Sequence, residues 1–339
     1  MAYITLNKKN FFNNLDIIAQ CSKGRDKIAL VLKDNAYGHG LLEVAQMAQE
    51  YGIGKAVVRS CEEAIAIADR FEYILILADF PKTIHTNFIY TINDLAAIES
   101  FPAATRVALK VNTGMNRNGI EMESLAEAFW RISKQHLVLE EIFTHHSSAD
   151  EDTALFLEQN AAFATVKEEA LLLQKQYGMD PLRFHSCNSA ALFQTADFRE
   201  DMARIGIGAY GCLDLADNER ADALQPVLSL YAKCISTRIV KAGSAVGYGS
   251  EFVALEDLAV GNYDFGYGDG FLRACQGYIT PQNKRLLGRI SMDNSSFATT
   301  QKELLIFNDA RLPAKVAGTI SYEILTALKP HLQRIICED

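Results

Sequence analysis

No C-x-x-C pair occurs in this sequence, although it contains seven cysteines (Cys21, Cys61, Cys187, Cys212, Cys234, Cys275 and Cys337). An odd number of thiols without paired spacing suits neither a disulfide framework nor a zinc site. It is the usage expected of reduced thiols in a cytoplasmic protein. Runs of lysine or arginine are missing too, and 33 basic against 42 acidic residues leave a net charge of −9. Nucleic acid and anionic membrane are therefore not expected partners. The opening residues, MAYITLNKKN, lack the charged-then-apolar pattern of a secretory leader. The strongest apolar run, Tyr73 to Ala78, is far too short to cross a bilayer. There is no internal repeat and no low-complexity linker.

What is present is enough apolar material for a large core: 49% hydrophobic and 22% charged residues in 339. That length suits a barrel with a smaller second domain. Short aliphatic runs recur at Lys27–Leu32, Lys55–Val58, Tyr73–Leu77, Phe88–Ile92, Arg106–Val111, Leu139–Thr144, Leu182–His185 and Ala203–Ile207. They are apolar on both faces, as buried parallel strands are. Segments with helical spacing lie between most of them: Leu41–Tyr51, Glu62–Arg70, Ser124–Lys134 and Thr153–Tyr177. The fourth unit is weak, because Pro81 to Asn87 offers little helix. Eight such units predict a (β/α)₈ barrel, with a doubly wound sheet as the alternative. Beyond Gln225-Pro226 the pattern changes. Val227–Ile239, Ala245–Val253, Leu258–Phe265, Lys284–Ile290 and Leu304–Phe307 read as strands punctuated by glycine, with no long helix before Glu323–Leu328. A mostly antiparallel β domain is predicted there.

Lys33 directly follows the first strand, in the string VLKDNAYGHG. A lysine at the end of a buried strand loses hydration, so its pKa falls and its neutral amine becomes a nucleophile. That is the setting of a Schiff-base lysine, for which pyridoxal 5'-phosphate (PLP) is the common partner; a lysine leaving a core strand for solvent also fits. Other polar residues fall at the same strand ends. Arg117 follows strand five, His145 ends strand six, Asn188 and Ser189 follow strand seven, and Arg204 lies in strand eight before Gly206-Ile207. Barrel enzymes place their chemistry at that end. Gly206 to Gly211 matches G-x-G-x-x-G, but Asp214 to Arg220 is polar and loop-like, which argues against a dinucleotide site. Those glycines can instead offer N–H groups to a phosphate, with Ser189 adding a hydroxyl, or can simply pack a tight corner. His145 and His146 are adjacent and point to opposite faces, so no metal site is expected. In the second domain, DFGYGDG (Asp264–Gly270) frames the phenol of Tyr267 with glycines, and GRISMD follows at Gly288–Asp293.

Together these strings resemble alanine racemases. The match is carried by VLKDNAYGHG, KVNTGMNRNGI, THHSSAD, HSCNSAA, RIGIGAYG, VGYGS, GYGDGF, GRISMD and TISYE, in this order over nearly the whole chain. The resemblance implies a PLP-binding barrel at residues 1–225 and a C-terminal β domain at 226–339. It also implies a head-to-tail homodimer with shared sites, and a cytoplasmic enzyme making D-alanine from L-alanine for peptidoglycan. Lys33 would carry PLP. Tyr37, Ser189, Gly206, Ile207 and Tyr322 would bind its phosphate, with Asn188 and His145 also in the cofactor site. Arg204 would face the pyridine nitrogen. Arg117 and the backbone of Met292 would hold the substrate carboxylate, and Tyr267 from the partner subunit would be the second base. Lys110 matches a position that is carbamylated in some relatives; a plain lysine paired with a carboxylate is the other option. Asp34, Asn112 and Ser291 depart from common family residues, and the segment from Asp293 to Tyr322 is short. Three alternatives remain open: a racemase of serine, lysine or several amino acids; a PLP-binding protein without turnover; and a barrel-type decarboxylase using Cys275 as acid.

Overall fold

The computed structural model describes residues 1–82, 85–151 and 154–338. The first strand, β1 (Tyr3–Asn7), is followed by a helix over Lys8–Ser22, which starts because the Asn7 side chain accepts the Asn10 N–H at 2.8 Å. Eight parallel strands then appear among the described residues: β2 (Ile28–Val31), β3 (Lys55–Val58), β4 (Tyr73–Ile76), β5 (Phe88–Ile92), β6 (Arg106–Lys110), β7 (Val138–Phe143), β8 (Arg183–His185) and β9 (Ala203–Ile205). From β2 to β8 each pairs with the next in sequence, and β9 returns to β2, with Ala29 opposite Arg204. Two hydrogen bonds span the remaining gap, from Asp201 N–H to Phe184 O at 3.1 Å and from Arg204 N–H to Cys187 O at 2.9 Å. The result is the expected (β/α)₈ barrel, closed to within that gap, and not a doubly wound sheet. Its strands are buried along nearly their whole length, which is why they read as unbroken apolar runs.

The outer helices follow the expected periods with local differences. Leu41–Tyr51 is helical as predicted and ends at Gly52, whose φ of +93° suits a residue without Cβ. The predicted Glu62–Arg70 helix is only Cys61–Ala66, and Ser124–Lys134 becomes Leu125–Lys134 after a short 3₁₀ turn. Helix Ala154–Tyr177 matches the expectation except at Thr153, which lies outside the described residues. Of the weak fourth unit, Thr83 and Ile84 also lie outside them, and no helix links β4 to β5 among the rest.

The second sheet has the order β14 (Ser295–Phe297), β13 (Leu258–Tyr263), β10 (Leu228–Val240), β1, β16 (Gln333–Cys337), with β15 (Glu303–Phe307) also on β10. It is antiparallel apart from the β1–β16 pair. One of its interior strands therefore comes from the first residues of the chain, with Tyr3 opposite both Tyr231 and Gln333. Two strand expectations need correction. Ala245–Val253 is not one strand but a hairpin, β11 (Ala245–Val246) and β12 (Phe252–Val253), turned through Gly247 and Gly249 at φ +75° and +73°. Lys284–Ile290 forms only the isolated bridges of Arg285 and Leu286, since Asn283 and Gly288 at φ +58° and +66° bend the chain out of a ladder. The helix expected at Glu323–Leu328 is Ser321–Ala327, preceded by an unexpected Arg311–Ala317. No helix among the described residues is long and apolar enough to cross a membrane.

Candidate active site

Beyond β2 the chain makes one turn of left-handed helix. Asp34, Asn35, Ala36 and Tyr37 have φ of +53°, +56°, +52° and +50°, and none is glycine. Such a turn costs about 1–2 kcal/mol per residue, and it persists only where surrounding contacts over-determine it. Those contacts are present. The Ala36 N–H donates to Leu32 O at 2.8 Å, and Asn35 Oδ1 accepts the Leu41 N–H at 2.8 Å. His39 Nδ1 reaches Tyr37 O at 3.1 Å, and its ring stacks on Tyr210 at 4.3 Å. From β16 of the second sheet, Arg334 donates through Nε and a terminal nitrogen to Gly38 O, at 3.1 and 2.9 Å. Gly38, at φ +75°, lies so close to Leu325 O that a Cβ would collide with it. Lys33 at the head of this turn is partly buried. Desolvation lowers its pKa, with Arg117 and Arg59 adding to the effect and Asp34 opposing it.

Beside it, the chain leaving β9 points two N–H groups inward. Ser189 Oγ accepts from both Gly206 and Gly208, each at 3.2 Å. A Cβ at Gly206 would lie 2.8 Å from the Tyr37 hydroxyl, so the missing side chain is what lets Tyr37 approach. The Tyr322 ring, from helix Ser321–Ala327, lies 5.6 Å from that of Tyr37, and burial pushes its phenol up to about 12. Asn188 serves as N-cap of helix Ser189–Gln194, accepting the Ala191 N–H at 2.9 Å. The Ile207 side chain is in the core. Gly208 belongs to the G-x-G-x-x-G run read from the sequence, and the Ser189 hydroxyl singles out its N–H together with that of Gly206.

Arg204 is buried, and both its terminal nitrogens are bound. They donate to His185 Nδ1 at 2.6 Å, His185 O at 3.2 Å, Thr144 O at 2.7 Å, Ser186 O at 3.0 Å and His145 Nδ1 at 3.3 Å. Since arginine only donates, both imidazoles accept at Nδ1 and carry their proton on Nε2. Desolvation and the Arg204 charge hold His145 well below the ordinary histidine range. His185 is likewise lowered by burial, and its Nε2 approaches Glu141 Oε2 at 3.4 Å. We read that approach as a neutral imidazole beside a carboxylate rather than an ion pair. Burial opposes the Glu141 charge, but His185, Arg183 and Tyr73, whose hydroxyl donates at 2.5 Å, outweigh it and hold the carboxyl low. His185 and Glu141 were not recognised in the sequence; both look like ordinary polar interruptions of a strand. His146 turns the other way, with Nε2 3.0 Å from Asn160 Oδ1.

Arg117 is exposed on the loop after β6, which Asn112 builds: its Oδ1 accepts the N–H groups of Gly114 and Asn116 at 3.1 and 3.0 Å. Its Nδ2 donates to Asn116 Oδ1 at 2.9 Å and Glu121 Oε1 at 3.1 Å. An aspartate there could accept but not donate, and would face Glu121, which gives a physical role to this departure. Lys110, only 9% exposed, has its pKa pushed down to about 8 by burial and by the charges of Arg117, Arg204 and Lys33. The barrel thus gathers Lys33, Arg117, Arg204, His145 and Lys110 into one electrostatic neighbourhood.

Tyr267 and Met292 are placed differently. Both are exposed, at 40% and 56%, on the turn after β13 and the segment packed against it. The Tyr267 N–H donates to Ser291 O at 3.0 Å and the Gly268 N–H to Met292 O at 2.7 Å. A Cβ on Gly266 would strike Met292 O, so this turn also requires glycine. Among the described residues, no hydrogen bond or ion pair joins Tyr267 or Met292 to the barrel cluster of the same chain. Cys275, by contrast, is fully buried, with its thiol pushed up to about 11 by burial.

Comparison with known proteins adds an independent line. The family model "Alanine racemase, N-terminal domain" matches residues 6–214, and "Alanine racemase, C-terminal domain" matches residues 227–336. The chain is 46% identical over 334 residues to an alanine racemase of a Nitratiruptor species, covering 98% of this chain and 99% of the relative. It is 41% identical over 337 residues to an alanine racemase of Campylobacter curvus, with 98% and 99% covered. Among solved structures, alanine racemase from Bacillus anthracis with bound L-Ala-P aligns at a TM-score of 0.86 and 25% identity, over 99% of this chain and 95% of that one. The structure from E. faecalis aligns at 0.84 and 26%, over 99% and 98%.

Proposed function

The chain belongs to the alanine racemase family of isomerases, and from that premise we propose that it interconverts L- and D-alanine with PLP carried on Lys33. The observation that carries this reading is the convergence, at one end of the barrel, of a desolvated lysine, an N–H and hydroxyl cradle, and a buried arginine. The residues fit the cofactor. Gly206, Gly208, Ser189, Tyr37 and Tyr322 offer only neutral donors beside Lys33, which suits a phosphate dianion, and a lysine with lowered pKa suits an aldehyde. When bound, PLP acts as an electron sink that acidifies the Cα proton of an attached amino acid.

Racemisation removes a proton from one face of Cα and returns one to the other, so it needs two bases on opposite sides. In this proposal the Lys33 amine serves the face toward D-alanine, and Tyr267 of the partner subunit serves the face toward L-alanine. A phenol titrates near ~10 and needs positive charge close by to work as a base. His145, whose Nδ1 is occupied by Arg204, would offer its Nε2–H to stabilise a phenolate. Arg204, effectively never deprotonated, would keep the pyridine nitrogen unprotonated, weakening the sink and favouring prompt return of the proton over transamination. Arg117 and the backbone of Met292 would hold the substrate carboxylate. The exposure of Tyr267 and Met292, with no hydrogen bond or ion pair to the barrel cluster of their own chain among the described residues, supports a head-to-tail homodimer in which each site borrows both. Asn188 would contribute through its cap of the Ser189 helix. The functional units of the proposal are residues 1–225 and 226–339, with Tyr3–Asn7 structurally in the second sheet.

Lys110 is proposed to be carbamylated: its amine attacks CO₂, an N–C bond forms and a proton leaves. The depressed pKa supplies the neutral amine this needs, and the neighbouring guanidinium groups of Arg117 and Arg204 favour the resulting anion. An unmodified Lys110 peptide by mass spectrometry would remove the idea. Consistent with this function, the product would serve a cytoplasmic peptidoglycan pathway. The test is direct: the full-length chain loaded with PLP is given L-alanine and the products are resolved chirally. D-Alanine is expected, and its absence overturns the function. D-Serine or D-lysine formed as fast as D-alanine would replace alanine by a broader substrate class.

A further inference from the structure

Glu63 lies in the first turn of helix Cys61–Ala66, whose N-cap Ser60 accepts the Glu63 N–H at 3.3 Å. A Ser-x-x-Glu start ordinarily returns the glutamate to the N–H of its own cap residue. Here the carboxylate is used elsewhere. Oε2 accepts the N–H of Arg59 at 2.8 Å, and Oε1 accepts the N–H of Asp34 at 2.6 Å. Arg59 directly follows β3, and Asp34 is the first residue of the left-handed turn after Lys33. The same two residues are tied again through their side chains, Asp34 Oδ1 to an Arg59 terminal nitrogen at 3.0 Å. One carboxylate thus bridges the ends of two neighbouring barrel strands. It satisfies two main-chain donors lying beyond their strand ends, and bonds from N–H to a carboxylate are stronger than neutral ones.

We propose that Glu63 is a positioning residue for Lys33: its two oxygens lock the left-handed turn onto the end of β3, and covalent attachment of PLP at Lys33 depends on that lock. The inference rests on the reading of Lys33 as the PLP-bearing residue. It assigns the departure at Asp34 a place, since the Asp34–Arg59 pair braces the same junction from the side-chain direction. Glu62, exposed on the same helical turn, has no part in it and serves as the matched control.

The experiment compares the full-length parent with E63A, E63Q and E62A in two measurements. In PLP-free protein, deuterium exchange is followed at residues 33–41 and at Arg59. PLP is then added, and attachment is read by absorbance, borohydride trapping and mass of the Lys33 peptide. In E63A, exchange in both segments is expected to rise by about tenfold or more, and the PLP concentration for half attachment to rise by about tenfold. E63Q keeps one acceptor and is expected to fall between E63A and the parent; E62A matches the parent. Unchanged exchange in E63A, or faster exchange with unchanged attachment, overturns the assignment. E63Q indistinguishable from E63A overturns it too, since charge rather than two acceptors would then matter. If the parent itself traps no PLP on Lys33, the proposed function falls and this assignment with it. A parent that traps PLP beside an E63A that does so equally removes the assignment alone.

Discussion

The turn after Lys33 and the turn around Tyr267 are both tight and both bordered by glycine, but their surroundings are opposite. The first is clamped from the barrel by Glu63 and Asn35, and from the second sheet by Arg334 and helix Ser321–Ala327. The second is fastened by its backbone to Ser291 and Met292 while Tyr267 stays 40% exposed. A strained conformation needs enclosure, so the lysine half of the proposed site is complete within one chain. The tyrosine half is held by its backbone but left open at the surface, which fits the proposal that it serves another subunit. Pre-organisation inside the chain and openness at its surface are thus distributed between the two proposed bases.

Four experiments press on that contrast. Removing the enclosed half should have the largest effect: Lys33→Ala is expected to abolish PLP trapping and reduce turnover by about a thousandfold or more. Trapped cofactor on another lysine would show that the enclosed turn is not what selects the site. Tyr267→Phe should leave PLP attachment unchanged but lower kcat by about 10²–10⁴; parent-like turnover would remove the two-base assignment, and lost attachment would deny the separation of the halves. A folded Arg204→Glu variant, checked by near-UV dichroism, is expected to raise transamination per racemisation event by about tenfold. An unchanged ratio removes the link from Arg204 to the pyridine nitrogen.

The smallest expected effect concerns Lys110. Its folded pKa, about 8, lies below the ordinary 10.5, so an unmodified lysine destabilises the fold fully below pH 8 and progressively less as pH rises from 8 to 10.5. For that unmodified lysine, Lys110→Met would stabilise at neutral pH by on the order of 1–3 kcal/mol, measured by urea unfolding, with the gain vanishing above the upper value. The proposed carbamate, set beside Arg117 and Arg204, predicts the opposite, so the substitution is expected to destabilise. The sign of the change separates the two states.

Much of the barrel was legible because its strands are buried on both faces and its helices keep helical spacing, both local properties of the chain. The left-handed turn was not: nothing in Asp34-Asn35-Ala36-Tyr37 lacks a Cβ, so local preference argues against the conformation the fold imposes. Equally hidden was β1, because Tyr3–Asn7 becomes an interior strand only through partners at Leu228–Tyr231 and Gln333–Cys337, more than two hundred residues away. His185 and Glu141 gave no signal for a similar reason. Their importance lies in touching Arg204 and Tyr73, and contact across a barrel leaves no periodic mark.

By itself, then, the order of residues determined which strands are buried and which lysine meets the barrel mouth, since each follows from chemistry within a few neighbours. Only the tertiary structure decided how Lys33 is held, which histidines Arg204 orients and why Tyr267 is left facing outward. Those outcomes depend on distances between segments far apart in the chain, which are set when the whole core packs.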